Sequence, residues 1–282
     1  ALFNRELLIE VTGSANEPET YDEFVALCRE VRSFARTQKR TLFPIAASGT
    51  GDVLLRRLLT SQTQRTMLEL DVVRPLQLVS DEVINGYLNR KWGLNDPDLR
   101  LGLELIRDVG RFTQPGFLQQ TSQDALFYFS QGRALMMVAN SIQYHSIRAQ
   151  TPFEIGILDI PLPSPTHPRY GHNMLGRVSE GGNITDLAFG LPRQSKHQET
   201  ALDFLRFLSS QGANQKFARL SGRLPAVVGV EPNSEMAGFM PVLSGYPSGY
   251  SPESAGGSAR SLFRSSLYLL WDDSEGINTF LE

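Results

Sequence analysis

The chain has 282 residues, of which 41% are hydrophobic and 9% aromatic, enough apolar material for a real core in one large or two ordinary domains, and too much for global disorder. Its 30 acidic and 27 basic residues leave a net charge of -3 with no sustained basic run, so no nucleic-acid partner is expected. The single cysteine excludes an internal disulfide, and no apolar run reaches the roughly 18 residues of a membrane-spanning helix.

Residues 3–11, FNRELLIEV, mix polar and apolar side chains without a clear period, and residues 13–18 form a turn. Thr20 then opens a helix, with Glu23 as its reciprocal capping partner and a buried face of Phe24, Leu27, Cys28, Val31 and Phe34 or Ala35. Cys28 on that face serves as a small hydrophobic side chain. Residues 41–47 read as a short buried strand ending in the turn SGTGD (residues 48–52), and residues 53–59 as the next helix. Asp96 and Pro97 are an N-cap and first-turn pair for a helix carried by Leu99, Leu103, Ile106 and Val109 toward Phe112. A further helix covers 122–131, strands cover 134–139 and 153–160, and prolines at 161, 163, 165 and 168 mark a surface excursion. Strands alternating with helices predict an α/β fold.

Residues 195–226 hold the most informative pattern. Ser195 reads as an N-cap, and Ala201, Leu202, Leu205 and Leu208 form an apolar stripe that Phe204 and Phe207 widen. Gln211-Gly212 breaks this helix, Phe217 and Leu220 supply a second one with its own apolar contacts, and Gly222 with Pro225 stops it. Residues 244–258, SGYPSGYSPESAGGS, read as a mobile loop or linker.

Catalytic chemistry finds no foothold. The histidines at 145, 167, 172 and 197 form no His-x-x-x-His pair and the cysteine is helical, so no metal and no cofactor is expected; His167 and His172 flank a loop as solvated residues or ligands. Gly49, Gly51 and Asp52 follow a strand as in a phosphate-cradling turn, but the Gly-Lys-Ser/Thr ending is absent, and so is Gly-x-Ser-x-Gly. One alternative stays open: an α/β hydrolase or transferase that binds an anionic substrate at the 48–52 turn, with Asp52 beside His145 or His172. A polyol ligand needs instead amides, carboxylates and guanidinium groups around its hydroxyls, with an aromatic face against the ring.

Five segments in one order, FNRELLIEV (3–11), PETYDEFVALCREV (18–31), FYFSQGRALMMVAN (127–140), FEIGILDIPLPSP (153–165) and the helical pair ending in Gly-x-Leu-Pro (195–226), closely resemble the carbohydrate-type extracellular solute-binding proteins of ABC transporters, the maltose-binding-protein class. The resemblance implies a periplasmic-binding-protein-like, two-lobe α/β architecture. It implies that the chain begins at a crossover between lobes, with most of the amino-terminal lobe missing. Residues 1–182 and 236–282 then correspond to the carboxy-terminal lobe, and 183–235 to the return crossover and helical part of the amino-terminal lobe. On this reading the helical pair exposes an apolar face.

By the same resemblance the protein is not an enzyme but the solute-binding component of an ABC importer, periplasmic or otherwise extracytoplasmic. It captures a carbohydrate-like ligand in an interlobe cleft and delivers it to permease subunits. It meets the membrane only through the permease or a lipid anchor outside this sequence. In the 48–52 turn, Thr50 and Asp52 bond ligand hydroxyls, or Asp52 caps a helix. After the 134–139 strand the family often carries Gly-Pro-Trp; here Asn140-Ser141-Ile142-Gln143-Tyr144 stands instead, leaving Asn140 as a ligand candidate and Tyr144 either stacking on the ligand or packing in the core. Gly181 and Gly182 match the turn at the return crossover, as a hinge or a direct contact. Arg264 falls near a cleft position where it clamps a carboxylate as readily as a hydroxyl, with Phe263 beside it in the core.

Overall fold

Four short apolar segments pair into one mixed sheet in the computed structural model, which describes residues 1–49, 53–73, 78–181, 189–272 and 275–282. They are β1 (Leu2–Asn4), β2 (Phe43–Ala46), β3 (Ala134–Met137) and β4 (Ile155–Ile157), in the spatial order β2-β3-β1-β4. β2 runs parallel to β3, whereas β1 is antiparallel to both β3 and β4. The strands are buried almost throughout, which is why they read as continuous apolar runs and not as alternating ones. β4 is shorter than the 153–160 stretch predicts. Its central Gly156 lies opposite Phe3, and a Cβ there would sit 2.1 Å from the Phe3 ring, so the missing side chain is what lets that ring lie across the strand.

The chain divides into two compact units. Unit 1, comprising Ala1–Ala139, Gln150–Gly182 and Val242–Glu282, holds the sheet and most of the helices. The ambiguous 3–11 segment is a strand that turns directly into α1 (Arg5–Thr12); Asn4 Oδ1 accepts from the Leu7 amide at 3.0 Å and starts the helix. α2 (Tyr21–Thr37) carries the expected Thr20/Glu23 capping box and buries Phe24, Leu27, Cys28, Val31 and Ala35. Cys28 is fully buried, and burial pushes its thiol pKa up. α3 (Val53–Gln62), α4 (Gln64–Leu70) and α5 (Ser80–Leu88) follow. α6 (Pro97–Gly110) packs on α3, with Leu58, Leu59, Leu103 and Ile106 wholly buried. Asp96 stands at the N-cap of α6 but does not cap it, because its Oδ2 accepts from the Gly93 amide at 2.8 Å and closes the preceding turn. α7 (Ser122–Ser130) begins with a Thr121/Asp124 box.

Unit 2 comprises Asn140–Ala149 and Asn183–Pro241. It contains α8 (Tyr144–Arg148), α9 (Gln198–Leu208) and α10 (Gln211–Ser221). α9 starts after His197, two residues later than Ser195 predicts. The break between helices falls at Ser209-Ser210, where the Ser210 hydroxyl accepts from the Ala213 amide at 3.3 Å, so Gln211 and Gly212 open α10 instead of ending α9. The apolar stripe of α9 faces water, with Phe204 and Phe207 57% and 62% exposed, and of the two side chains expected to anchor α10, Leu220 is 72% exposed while Ala218 is buried instead.

The chain closes in unit 1 with α11 (Gly257–Ser266) and α12 (Gly276–Leu281). Residues 244–258 are not a loose linker. Tyr246 exchanges backbone hydrogen bonds with Arg177 and Ser179, and Tyr250 is buried at 4.8 Å, ring to ring, from Trp92 beside Leu70 and Val83. The Thr63 hydroxyl donates to the Tyr250 carbonyl at 2.6 Å. One buried aromatic and paired backbone groups hold a segment whose composition reads as flexible.

Glu82 of α5 shows the same device with a charge. Its Oε1 accepts from the amides of Val72 and Val73 at 2.7 and 2.6 Å, and its Oε2 from Val79 at 2.9 Å. Burial works to raise its pKa, but the three backbone donors outweigh it and hold the carboxyl below its ordinary 4.5. A depressed folded-state pKa contributes stability that is complete above the unfolded value and is lost as pH falls through the folded one. Glu82→Gln is therefore expected to lower stability by about 1–3 kcal/mol at neutral pH. It should also lessen the decline below about pH 4.5, and urea unfolding across pH checks both. Leu103→Ala, which empties the α3–α6 contact, is expected to cost about 2–5 kcal/mol in the same assay at neutral pH.

Candidate ligand-binding site

In open α/β sheets, ligands gather outside the carboxyl ends of the strands, where loops converge on fixed backbone. β2 ends in the turn that the sequence singles out. Of that turn Ser48 and Gly49 are described, while Thr50, Gly51 and Asp52 lie outside the described residues, and with them the choice between ligand contact and helix cap for Asp52. Gln114, buried in the loop after α6, clamps the strand end: its Nε2 donates to the Ala47 carbonyl at 2.5 Å and its Oε1 accepts from the Ala47 amide at 3.0 Å. The same Nε2 donates to Gln120 Oε1 at 2.7 Å, and the Gly49 amide donates to the Gln120 carbonyl at 3.1 Å. A Cβ on Gly49 would lie 1.9 Å from the Leu118 carbonyl oxygen, so only glycine lets these two backbones approach. Ser48 Oγ faces Ser122 Oγ at 3.4 Å, at the start of α7.

The described part of the turn is thus built of hydroxyl and amide groups, bonded to one another around a strand end held from below, with no charged side chain among them. Gln114, Gln120 and Ser122 escaped the sequence reading. No spacing rule ties a loop glutamine to a strand sixty-odd residues earlier, and only the fold brings them together.

The other sequence candidates divide between the units. In unit 1, the Gly181 amide donates to Ser179 Oγ at 3.1 Å in a tight turn, and Gly182 lies outside the described residues. Arg264 Nε donates to Glu253 Oε1 at 3.0 Å, so its guanidinium already holds a buried carboxylate of its own chain, and Phe263 packs edge-on against Phe280 as expected. Gly181 and Arg264 make these contacts with different segments. In unit 2, Asn140 Oδ1 accepts from the Ile142 and Gln143 amides at 3.1 and 3.2 Å, a side-chain-closed turn that leads into α8. Tyr144 is buried, its ring edge-on to Phe239 at 5.7 Å, and burial raises its pKa. Of the two roles open to Tyr144, the ring takes the packing one in this structure.

Two of the four histidines are engaged within their own units. His145 Nε2 lies 3.0 Å from the Gly222 carbonyl within unit 2. His167 stacks on Tyr170 at 5.3 Å and its Nδ1 accepts from the Arg169 and Tyr170 amides. His172 and His197 are exposed. Among the described residues no group of three or more His, Cys, Asp or Glu side chains is placed to hold a metal ion, and no helix is long and apolar enough to cross a membrane.

Residues 3–238 match the family model of the bacterial extracellular solute-binding proteins. The chain is 27% identical over 222 residues to the multiple sugar-binding protein of Streptococcus mutans serotype c, a match covering 76% of this chain and 46% of that protein. It therefore spans about half the length of the curated relative it matches. Its fold is similar to the bacterial solute receptor AcbH, described with an exclusive preference for β-D-galactopyranose, at a TM-score of 0.61 and 17% identity over 99% of this chain and 66% of the receptor. A chitin oligosaccharide binding protein matches at 0.58 and 14% identity, over 99% of this chain and 66% of its own. At such identities these structures establish the fold alone, the mixed α/β fold of periplasmic-binding-protein-like receptors. With one family model covering most of its length, the chain belongs to the bacterial extracellular solute-binding protein family.

Proposed function

We propose that the chain is the solute-binding component of an ABC importer for sugars, a receptor without catalytic function that captures a carbohydrate outside the cytoplasm and delivers it to permease subunits. The observation that carries this reading is the family match over residues 3–238, joined to a relative named for sugar binding. The turn after β2 supports it chemically, since hydroxyl and amide groups fixed by Gln114 suit an uncharged polyol. The hydrolase or transferase alternative is not carried forward, because the ring of His145 is turned to Gly222 and the family is one of receptors.

On this proposal unit 1 is the carboxy-terminal lobe and unit 2 the helical part of the amino-terminal lobe. The sequence-derived contacts remain candidates in their own units: Thr50, Asp52, Gly181, Gly182 and Arg264 in unit 1, Asn140 and Tyr144 in unit 2. For Tyr144 to meet a ligand its ring must leave Phe239. For Arg264 to do so it must share or release Glu253.

Thermal-shift and calorimetric titration of the full-length protein with mono- and oligosaccharides is expected to find a stabilising sugar. Saturation near a hundred times Kd adds about 2.7 kcal/mol to stability. A response to anions or peptides with none to sugars would sink the carbohydrate reading. Gln114→Leu, which keeps bulk but removes both clamp bonds, is expected to weaken the sugar identified in that panel by about tenfold. Unchanged affinity in a folded variant would show that the turn does not support the ligand.

A further inference from the structure

At the amino end of β2, opposite to the turn just described, unit 1 gathers positive charge. Arg29, Arg32 and Arg36 stand on one stripe of α2 at spacings of three and four residues. Arg107 and Arg111 come from the carboxyl end of α6, and Arg169 from the loop after β4; with Phe43 they line an open groove of about 990 Å³. Six guanidinium groups face two lining carboxylates, Asp22 and Asp108, on a chain whose net charge is -3. The groove is a local reversal of sign.

Internal ion pairs absorb only part of this charge. Asp108 is divided among three groups: Arg169 and the Tyr170 hydroxyl donate to its Oδ2 at 3.1 and 2.7 Å, and Arg111 lies 3.9 Å from its Oδ1. Glu104 takes the other arm of Arg169 at 2.8 Å. Asp22 lies 3.5 Å from His167. Arg32 sits over the Phe112 ring at 5.3 Å and donates to the Arg111 carbonyl, which positions its charge without neutralising it. Arg29 and Arg36 have no acidic partner among the described residues, and the Nε of Arg107 is buried with no hydrogen-bond partner among them.

An ordinary solvated helix face spreads its arginines outward, and such charges contribute little. Here three elements bring them to one concavity, where mutual repulsion rises and a buried donor is left unmade. An oxyanion relieves both, because guanidinium groups grip phosphate oxygens in pairs. We propose that this groove is a binding site for a phosphate-class oxyanion, distinct from the sugar site and independent of that assignment. A soluble phosphate compound and the phosphodiester headgroup of an anionic lipid share this chemistry.

Calorimetric titration of the full-length protein with inorganic pyrophosphate at low salt tests the soluble source, and flotation with phosphatidylglycerol vesicles, against phosphatidylcholine vesicles, tests the lipid. The variant is Arg32→Gln/Arg36→Gln; both side chains are exposed, and an unchanged melting temperature confirms its fold. Arg206→Gln, which belongs to unit 2 and is not among the residues that line the groove, is the control. Pyrophosphate binding that falls about tenfold or more in the double variant but not in the control supports the site and a soluble ligand. Flotation lost in the double variant alone supports it with lipid as the source. If wild type neither binds pyrophosphate nor floats, or if the control loses as much as the double variant, the proposal is overturned.

Discussion

Unit 1 depends on the placement of β1 between β3 and β4. A strand of three residues supplies the hydrogen-bonding edge for both neighbours, so the parallel β2–β3 pair and the β4 strand share one sheet only through Leu2, Phe3 and Asn4. The same residues do more than pair. Phe3 covers the space left by Gly156, and Asn4 caps α1, which sets the path of the chain toward α2. Strand pairing, core packing and helix initiation thus meet in one short segment, and each limits what the others can tolerate.

Where the chain leaves regular structure, buried polar side chains take over the backbone's hydrogen bonds. Gln114 does this with an amide at the end of β2, and Glu82 with a carboxylate between Val72 and Val79. The difference is instructive. The amide holds its partners at any pH, whereas the carboxylate does so only while ionised, so the turn after β2 is insulated from protons and the α4–α5 connection is not. The neutral clamp keeps the geometry of the turn after β2 independent of the pH of the surrounding medium.

The two ends of β2 carry opposite chemistry. At the carboxyl end, Ser48, Ser122 and the paired glutamines bring hydroxyls and amides together; at the amino end, arginines from α2 and α6 meet around Phe43. On the two proposals made above, a neutral ligand and an anion bind at different ends of the same unit, with no need for one site to discriminate between them.

What was legible in the sequence was local. The capping box of α2, the apolar face through Phe24, Leu27, Cys28 and Val31, and the extents of α6 and α7 follow from side chains three and four residues apart, which interact whatever the rest of the chain does. The family pattern was legible for the related reason that it resides in ordered segments. The sequence could not show that Asp96 turns back to Gly93, that Tyr250 buries itself against Trp92 within a glycine-rich stretch, or that Tyr144 packs on Phe239. Nor could it place Gln114 beneath Ala47 or assemble arginines from α2, α6 and residue 169. Asp96 chooses between two local roles that its neighbours leave equally open; each of the others needs a partner tens of residues away, and its energy exists only once the chain has already folded to bring that partner near. By itself the sequence determined the amphipathic helices α2, α6 and α7, the α/β class and the family; the tertiary structure alone decided which polar groups stand together, because proximity between distant residues is not written in any local period.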